Sequence, residues 1–125
     1  MSFFKNVFKS NNTPKEVVPS NVQWIPITDI NELDALATKS NTETVLIFKH
    51  STRCGISSMV IKQFEKMLNA SEEKVTVHYL DLLNYREISD EIAAKFQVFH
   101  QSPQLLVLKN GGVVAHASHY SILEL

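Results

Sequence analysis

The segment Thr44-Val45-Leu46-Ile47-Phe48-Lys49-His50-Ser51-Thr52-Arg53-Cys54-Gly55-Ile56-Ser57 decides the fold. Thr44–Phe48 is continuously apolar, β-branched or aromatic, the pattern of a strand covered on both faces, and it is read as the central strand. A polar turn, His50-Ser51-Thr52-Arg53-Cys54-Gly55, follows it. Beyond the turn, Ile56, Met59, Val60, Phe64, Met67 and Leu68 recur at helical spacing until Asn69-Ala70-Ser71. Cys54 therefore stands between a buried strand and the first turn of an amphipathic helix.

Towards the N-terminus, Val22-Gln23-Trp24-Ile25-Pro26-Ile27 reads as a short strand whose Pro26 suits an edge or a strand end. Thr28 or Asp29 then caps a helix carrying Ile30, Leu33, Leu36 and Ala37, with Glu32 three positions after Asp29 as in a capping box. Towards the C-terminus, Lys74–Leu80 alternates Val75, Val77 and Tyr79 before Asp81, and Ile88, Ile92, Ala93 and Phe96 mark a third helix. Ser102-Pro103 opens the strand Gln104–Lys109, and Asn110-Gly111-Gly112 turns it into Val113–His116 as a hairpin. Tyr120–Leu125 is a possible helical stub. The order β-α-β-α-β-α-β-β specifies an α/β sandwich around a mixed sheet. Residues 1–20 read as a flexible arm and linker, with residues 21–125 as the folded domain. Phe3, Phe4, Val7 and Phe8 lie at helical spacing against Lys5 and Lys9, but two turns bury little area.

Composition narrows the function classes. The 125 residues carry 12 Lys and Arg against 13 acidic residues, a formal charge of −1, which offers no electrostatic footprint for nucleic acid. No apolar run of about 18 residues is present to span a bilayer, and the N-terminus lacks the pattern of a signal peptide, so a cytoplasmic location is expected. The one cysteine cannot form an internal disulfide. Whatever Cys54 does, it does with another molecule.

A helix N-terminus favours an anion, and a neighbouring cation strengthens the preference for thiolate over thiol. Arg53 is the adjacent cation, with Lys49 and His50 as weaker candidates. Ser51, Thr52, Arg53 and Gly55 are unsuited to a core, so a reactive thiol is expected rather than a buried hydrophobe.

The strand Val45–Phe48, the Cys54-Gly55-Ile56-Ser57 turn, the helix behind it and the later Ser102-Pro103 before a strand resemble the thioredoxin superfamily. The resemblance implies a thioredoxin-like three-layer sandwich. Lys49-His50-Ser51-Thr52-Arg53-Cys54 closely resembles the YtxJ-like monothiol bacilliredoxins, bacterial proteins associated with bacillithiol. Cys54 matches the attacking cysteine of the C-x-x-C pair, and Ser57 stands where the resolving one would be. Phe48 occupies the position of the buried Asp of thioredoxins, and Arg53 replaces their Trp. That exchange of an apolar surface for a cation suits a small carboxylate-bearing thiol.

A single sulfur can exchange only through a mixed disulfide. The resemblance therefore implies a monothiol thiol-disulfide oxidoreductase that uses Cys54 to remove a bacillithiol-like thiol from proteins. The small thiol is co-substrate, no resident cofactor or metal is expected, and thiolated proteins are the partners of a monomer. Ser57 either donates a hydrogen bond to the thiolate or satisfies backbone groups as an ordinary N-terminal helix serine. Ser102 and Pro103 are implied as substrate-binding, with a cis bond and strand-like pairing by the Ser102 backbone, although base rates alone favour trans. His50 and His100 fall in loops expected to flank Cys54, as base, thiol contact or solvated loop residue. His116 and His119, three apart, lack the further ligands of a zinc site. A reading of another class is a carrier or binding module. Cys54-Gly55-Ile56-Ser57 is similar to the C-G-F-S motif of monothiol glutaredoxins, which share an iron–sulfur cluster between two chains.

Overall fold

Residues 21–71 and 74–125 are described by the computed structural model, so the expected arm at 1–20 lies outside the described residues. The element order is β1 (Val22–Pro26), α1 (Glu32–Lys39), β2 (Val45–His50), α2 (Gly55–Ala70), β3 (Val75–Asp81), α3 (Arg86–Phe96), β4 (Gln104–Lys109) and β5 (Gly112–Ser118), closed by a 3-10 helix at His119–Glu124. This is the expected alternation. The strands form one sheet in the order β1-β3-β2-β4-β5, with β2 in the middle. β3 runs parallel to both β1 and β2, because each connection to it crosses over through a helix. The last two strands are antiparallel to their neighbours. Asn110 and Gly111, both left-handed at φ 53° and 85°, make the two-residue turn that joins them.

Strand β2 shows why Val45–Phe48 is apolar on every residue. Val45 and Ile47 join Leu33 and Leu36 of α1 and Ile88, Ile92 and Phe96 of α3 in one core cluster. Phe48 faces the other way, towards Val60 and Phe64 of α2 and Ile122 of the 3-10 helix. Helices thus cover both faces of the sheet, giving three layers. On the α2 side, the Trp24 ring stands edge-on to Phe48 and Phe64 at centroid separations of 6.0 and 6.5 Å, and its Nε1–H donates to Glu65 Oε2 at 3.2 Å.

Some boundaries differ from the sequence reading. Helix α1 starts at Glu32, not after Thr28 or Asp29. A preceding turn intervenes, in which Asp29 Oδ1 accepts the Asn31 N–H at 2.8 Å and Glu32 Oε1 accepts the Thr28 N–H at 3.1 Å. Strand β2 continues through Lys49 and His50, because both find parallel partners in Leu80 and Asp81. The buried stripe of α2 is Ser57, Val60 and Phe64, whereas Ile56, Met59 and Met67 are exposed. The helix is rotated so that its first turn presents Ser57 to the interior.

Candidate active site

The sheet delivers the end of β2 to the start of α2 through a short turn, Ser51–Cys54. The Cys54 N–H donates to the Ser51 carbonyl at 3.2 Å, and the Ser58 N–H closes the first helical turn on the Cys54 carbonyl at 3.0 Å. Cys54 itself is the N-cap of a 16-residue helix, in extended conformation and without a side-chain capping bond. It is partly exposed. The first turn of α2 contains no acidic residue. Sγ therefore stands at the helix end where amide N–H groups are unsatisfied and negative charge is favoured.

Ser57 is fully buried one turn on, and its hydroxyl is already engaged. Its Oγ accepts the Ser51 N–H at 3.1 Å and lies 2.6 Å from His50 Nδ1. The serine thus ties the turn back to its own helix and to the end of β2. A neutral His50 with its proton on Nε2 accepts the Ser57 proton, whereas a proton on Nδ1 leaves the hydroxyl free to donate elsewhere. Burial holds the His50 pKa below its ordinary value, opposed by the Asp81 carboxylate. His50 is therefore a buried strand residue, not a solvated loop histidine. Ser57→Ala is expected to cost about 2 kcal/mol in urea unfolding, because it orphans the buried Ser51 N–H and the His50 nitrogen together.

Arg53 is exposed and makes no ion pair among the described residues. The Ser102–Pro103 bond is cis. Antiparallel register ends with Lys49 opposite Gln104, and Ser102-Pro103 immediately precedes Gln104 in the chain. The start of β4 therefore lies at the same end of the sheet as the turn that carries Cys54. Pro103 is buried, and the Ser102 hydroxyl oxygen is buried without a hydrogen-bond partner among the described residues. His116 and His119 are exposed on β5 and at the start of the 3-10 helix. Among the described residues no group of three His, Cys, Asp or Glu side chains is placed to hold a metal ion.

The sequence reading did not find the cluster on the opposite face. Lys49 follows Val45 and Ile47 at the two-residue period of β2, so it enters the α3 side of the sheet, where it is completely buried. Its Nζ lies 3.4 Å from the Ser89 carbonyl oxygen and 3.3 Å from His100 Nδ1. Ser89 Oγ lies 3.1 Å from the same His100 nitrogen. Burial lowers the Lys49 pKa from 10.5 to about 8, partly opposed by the Asp90 carboxylate. The His100 pKa is lowered by burial and then by the Lys49 and Arg86 charges, with Asp90 acting against them. The period of β2 was a signal for Lys49; no local pattern marked its partner 51 positions away.

Comparison with known proteins agrees with this architecture. The profile of the monothiol bacilliredoxin BrxC family matches residues 25–125. A solved protein with a thioredoxin fold is 31% identical at a TM-score of 0.69, over 79% of this chain and 85% of that one. The thioredoxin of Malassezia sympodialis is 20% identical at a TM-score of 0.65, covering 88% of this chain and 90% of its own. A Schistosoma mansoni thioredoxin is 22% identical at 0.60, covering 82% and 90%. At those identities the two thioredoxins show the fold alone. No helix among the described residues is long and apolar enough to cross a membrane. Fold and family together make the protein a thiol oxidoreductase. With its profile match running over most of its length, the chain belongs to the monothiol bacilliredoxin family within the thioredoxin superfamily.

Proposed function

We propose that the protein removes a bacillithiol-like low-molecular-weight thiol from proteins in the cytoplasm, as a monomer that exchanges disulfides through Cys54. The observation that carries this reading is the pairing of one partly exposed cysteine at the N-cap of α2 with a Ser57 hydroxyl already committed to His50 and Ser51. With no second cysteine in the sequence, the chemistry is a transfer. The Cys54 thiolate attacks the small-thiol sulfur of a protein mixed disulfide. A new S–S bond joins Cys54 to the small thiol as the old one breaks, and the protein sulfur leaves as a thiolate that takes up a proton. A second small thiol, or a partner dithiol, then attacks the small-thiol sulfur of the adduct and frees Cys54.

The remaining residues serve binding. Arg53 supplies an exposed cation for a carboxylate of the small thiol. The Ser102 backbone, just ahead of β4, pairs with the extended substrate, with the cis Pro103 holding its direction. His50 acts from beneath, through Ser57. The reading is tested by single-turnover release of protein thiol from one model protein carrying either bacillithiol or glutathione. Release dependent on Cys54, faster with bacillithiol, is the expected result; release that is absent with both disulfides would overturn it.

A further inference from the structure

Helix α2 leaves an apolar stripe uncovered, and the stripe starts two residues after Cys54. Ile56, Met59 and Met67 are exposed, with Gln63 between the two methionines. At about 100° of helix per residue these four positions fall within about 80° of one another. The buried stripe of the same helix, Ser57, Val60 and Phe64, lies beside them. The 3-10 helix extends the patch, since the Tyr120 hydroxyl donates to Met59 Sδ at 3.7 Å and Tyr120 is 51% exposed. From Cys54 to Met67 the helix runs about 20 Å. One exposed apolar residue needs no explanation, whereas a run of large ones leading away from a reactive sulfur does.

The charges around the stripe select its occupant. Lys62 and Lys66, three residues after Met59 and Gln63, form an exposed basic edge along it, and neither is in an ion pair among the described residues. Glu65, the acid of α2, is engaged on the other side, accepting the Trp24 Nε1–H at 3.2 Å. Among the exposed Lys, Arg, Asp and Glu side chains of the Cys54 turn, α2 and the 3-10 helix, Arg53, Lys62 and Lys66 stand against Glu124. A second copy of this face would bring like charges together. The first 20 residues of the chain carry Lys5, Lys9 and Lys15 against Glu16 and match it no better. A partner both acidic and apolar satisfies both features.

We propose that this face docks the thiolated protein itself, through a segment near its modified cysteine that carries apolar side chains flanked by Asp or Glu. The stripe supplies contact area, and the two lysines set orientation. Methionine is unbranched and polarizable, so a surface built on Met59 and Met67 adapts to segments of different shape. The inference rests on the reading of Cys54 as the site of exchange, and it adds which proteins are favoured there.

Synthetic disulfides read the docking directly. The full chain is offered bacillithiol in disulfide linkage to the cysteine of three peptides. One is a tripeptide, the second has about 16 residues, enough to span α2, with leucines flanked by glutamates, and the third has lysines in place of the glutamates. The glutamate peptide is expected to show a kcat/KM about tenfold above that of the lysine peptide, through KM, with the difference shrinking at high salt. Lys62→Glu with Lys66→Glu is expected to reverse that order and leave the tripeptide rate unchanged, and Met59→Ser with Met67→Ser to weaken both long peptides alike. Equal rates for the two long peptides, or an order that survives the charge reversal, would overturn the inference even where the tripeptide is turned over normally. If no disulfide is exchanged, the same peptides with serine for cysteine report binding by fluorescence anisotropy, and the same charge-dependent order would uphold the docking and remove the exchange reading instead. A dimer that Met59→Ser dissociates, or binding of both peptides that rises when Phe3, Phe4, Val7 and Phe8 are replaced by serine, would assign the face to a second copy or to the first 20 residues and overturn the proposal.

Discussion

Replacing Cys54 with serine is expected to lower the release of thiol from a mixed disulfide by roughly a thousandfold or more, about 4 kcal/mol in the barrier, to the rate of the uncatalysed exchange. A serine hydroxyl does not ionise at neutral pH and forms no S–S bond, so the transfer has no first step. The fold should not suffer. Cys54 is partly exposed and caps α2 without a side-chain bond, whereas serine is among the preferred N-cap residues. Thermal unfolding of Cys54→Ser should therefore occur at or slightly above the wild-type temperature. Loss of activity with stability retained separates a chemical role for the sulfur from a packing role; equal activity would leave only a binding module.

The second large effect is on stability and comes from Lys49. Lowering an ammonium's pKa from 10.5 to about 8 corresponds to about 3 kcal/mol against the charged folded state. Below pH 8 both folded and unfolded chains carry the proton, and the cost is present in full. Between about pH 8 and 10.5 the unfolded chain binds more protons than the folded one, so this residue's contribution makes stability rise with pH, and the cost is gone above 10.5. Lys49→Met, close in shape and uncharged, is expected to unfold about 2–3 kcal/mol harder in urea at pH 7 and to lack that alkaline rise. Comparing the two chains also cancels Tyr79, whose pKa is raised by burial and which acts in the opposite sense. A less stable Lys49→Met at pH 7 would show that the contacts to Ser89 and His100 outweigh the burial of charge.

The sheet was legible because its signals are local. The run Val45–Phe48 required cover on both faces, Asn110-Gly111 required a tight turn, and strands alternated with helical stripes. Cys54 was legible for the same reason, since a thiol between a buried strand and a helix start is defined by its immediate neighbours. Boundaries were less so. The strand read as ending at Phe48 and His50 as opening a turn, but backbone pairing with Leu80 and Asp81 holds Lys49 and His50 in the strand. Ile56 and Met59 fit a helical stripe, but α2 turns the small Ser57 inward, where its hydroxyl meets His50. The polar pairs Lys49–His100 and His50–Ser57 depend on how separate elements come together, which hydrophobic periodicity does not specify. Side chains that look like solvated loop residues in the sequence thus form the interior of the site.

The most direct test of the central claim is the intact mass of the protein after one turnover with a bacillithiolated substrate, quenched by acid before any second thiol is added. The account predicts one equivalent of bacillithiol bound in disulfide linkage to Cys54 and one equivalent of free substrate thiol. Substrate protein found joined to Cys54 as the stable product, or thiol released while Cys54 carries no adduct, would contradict it.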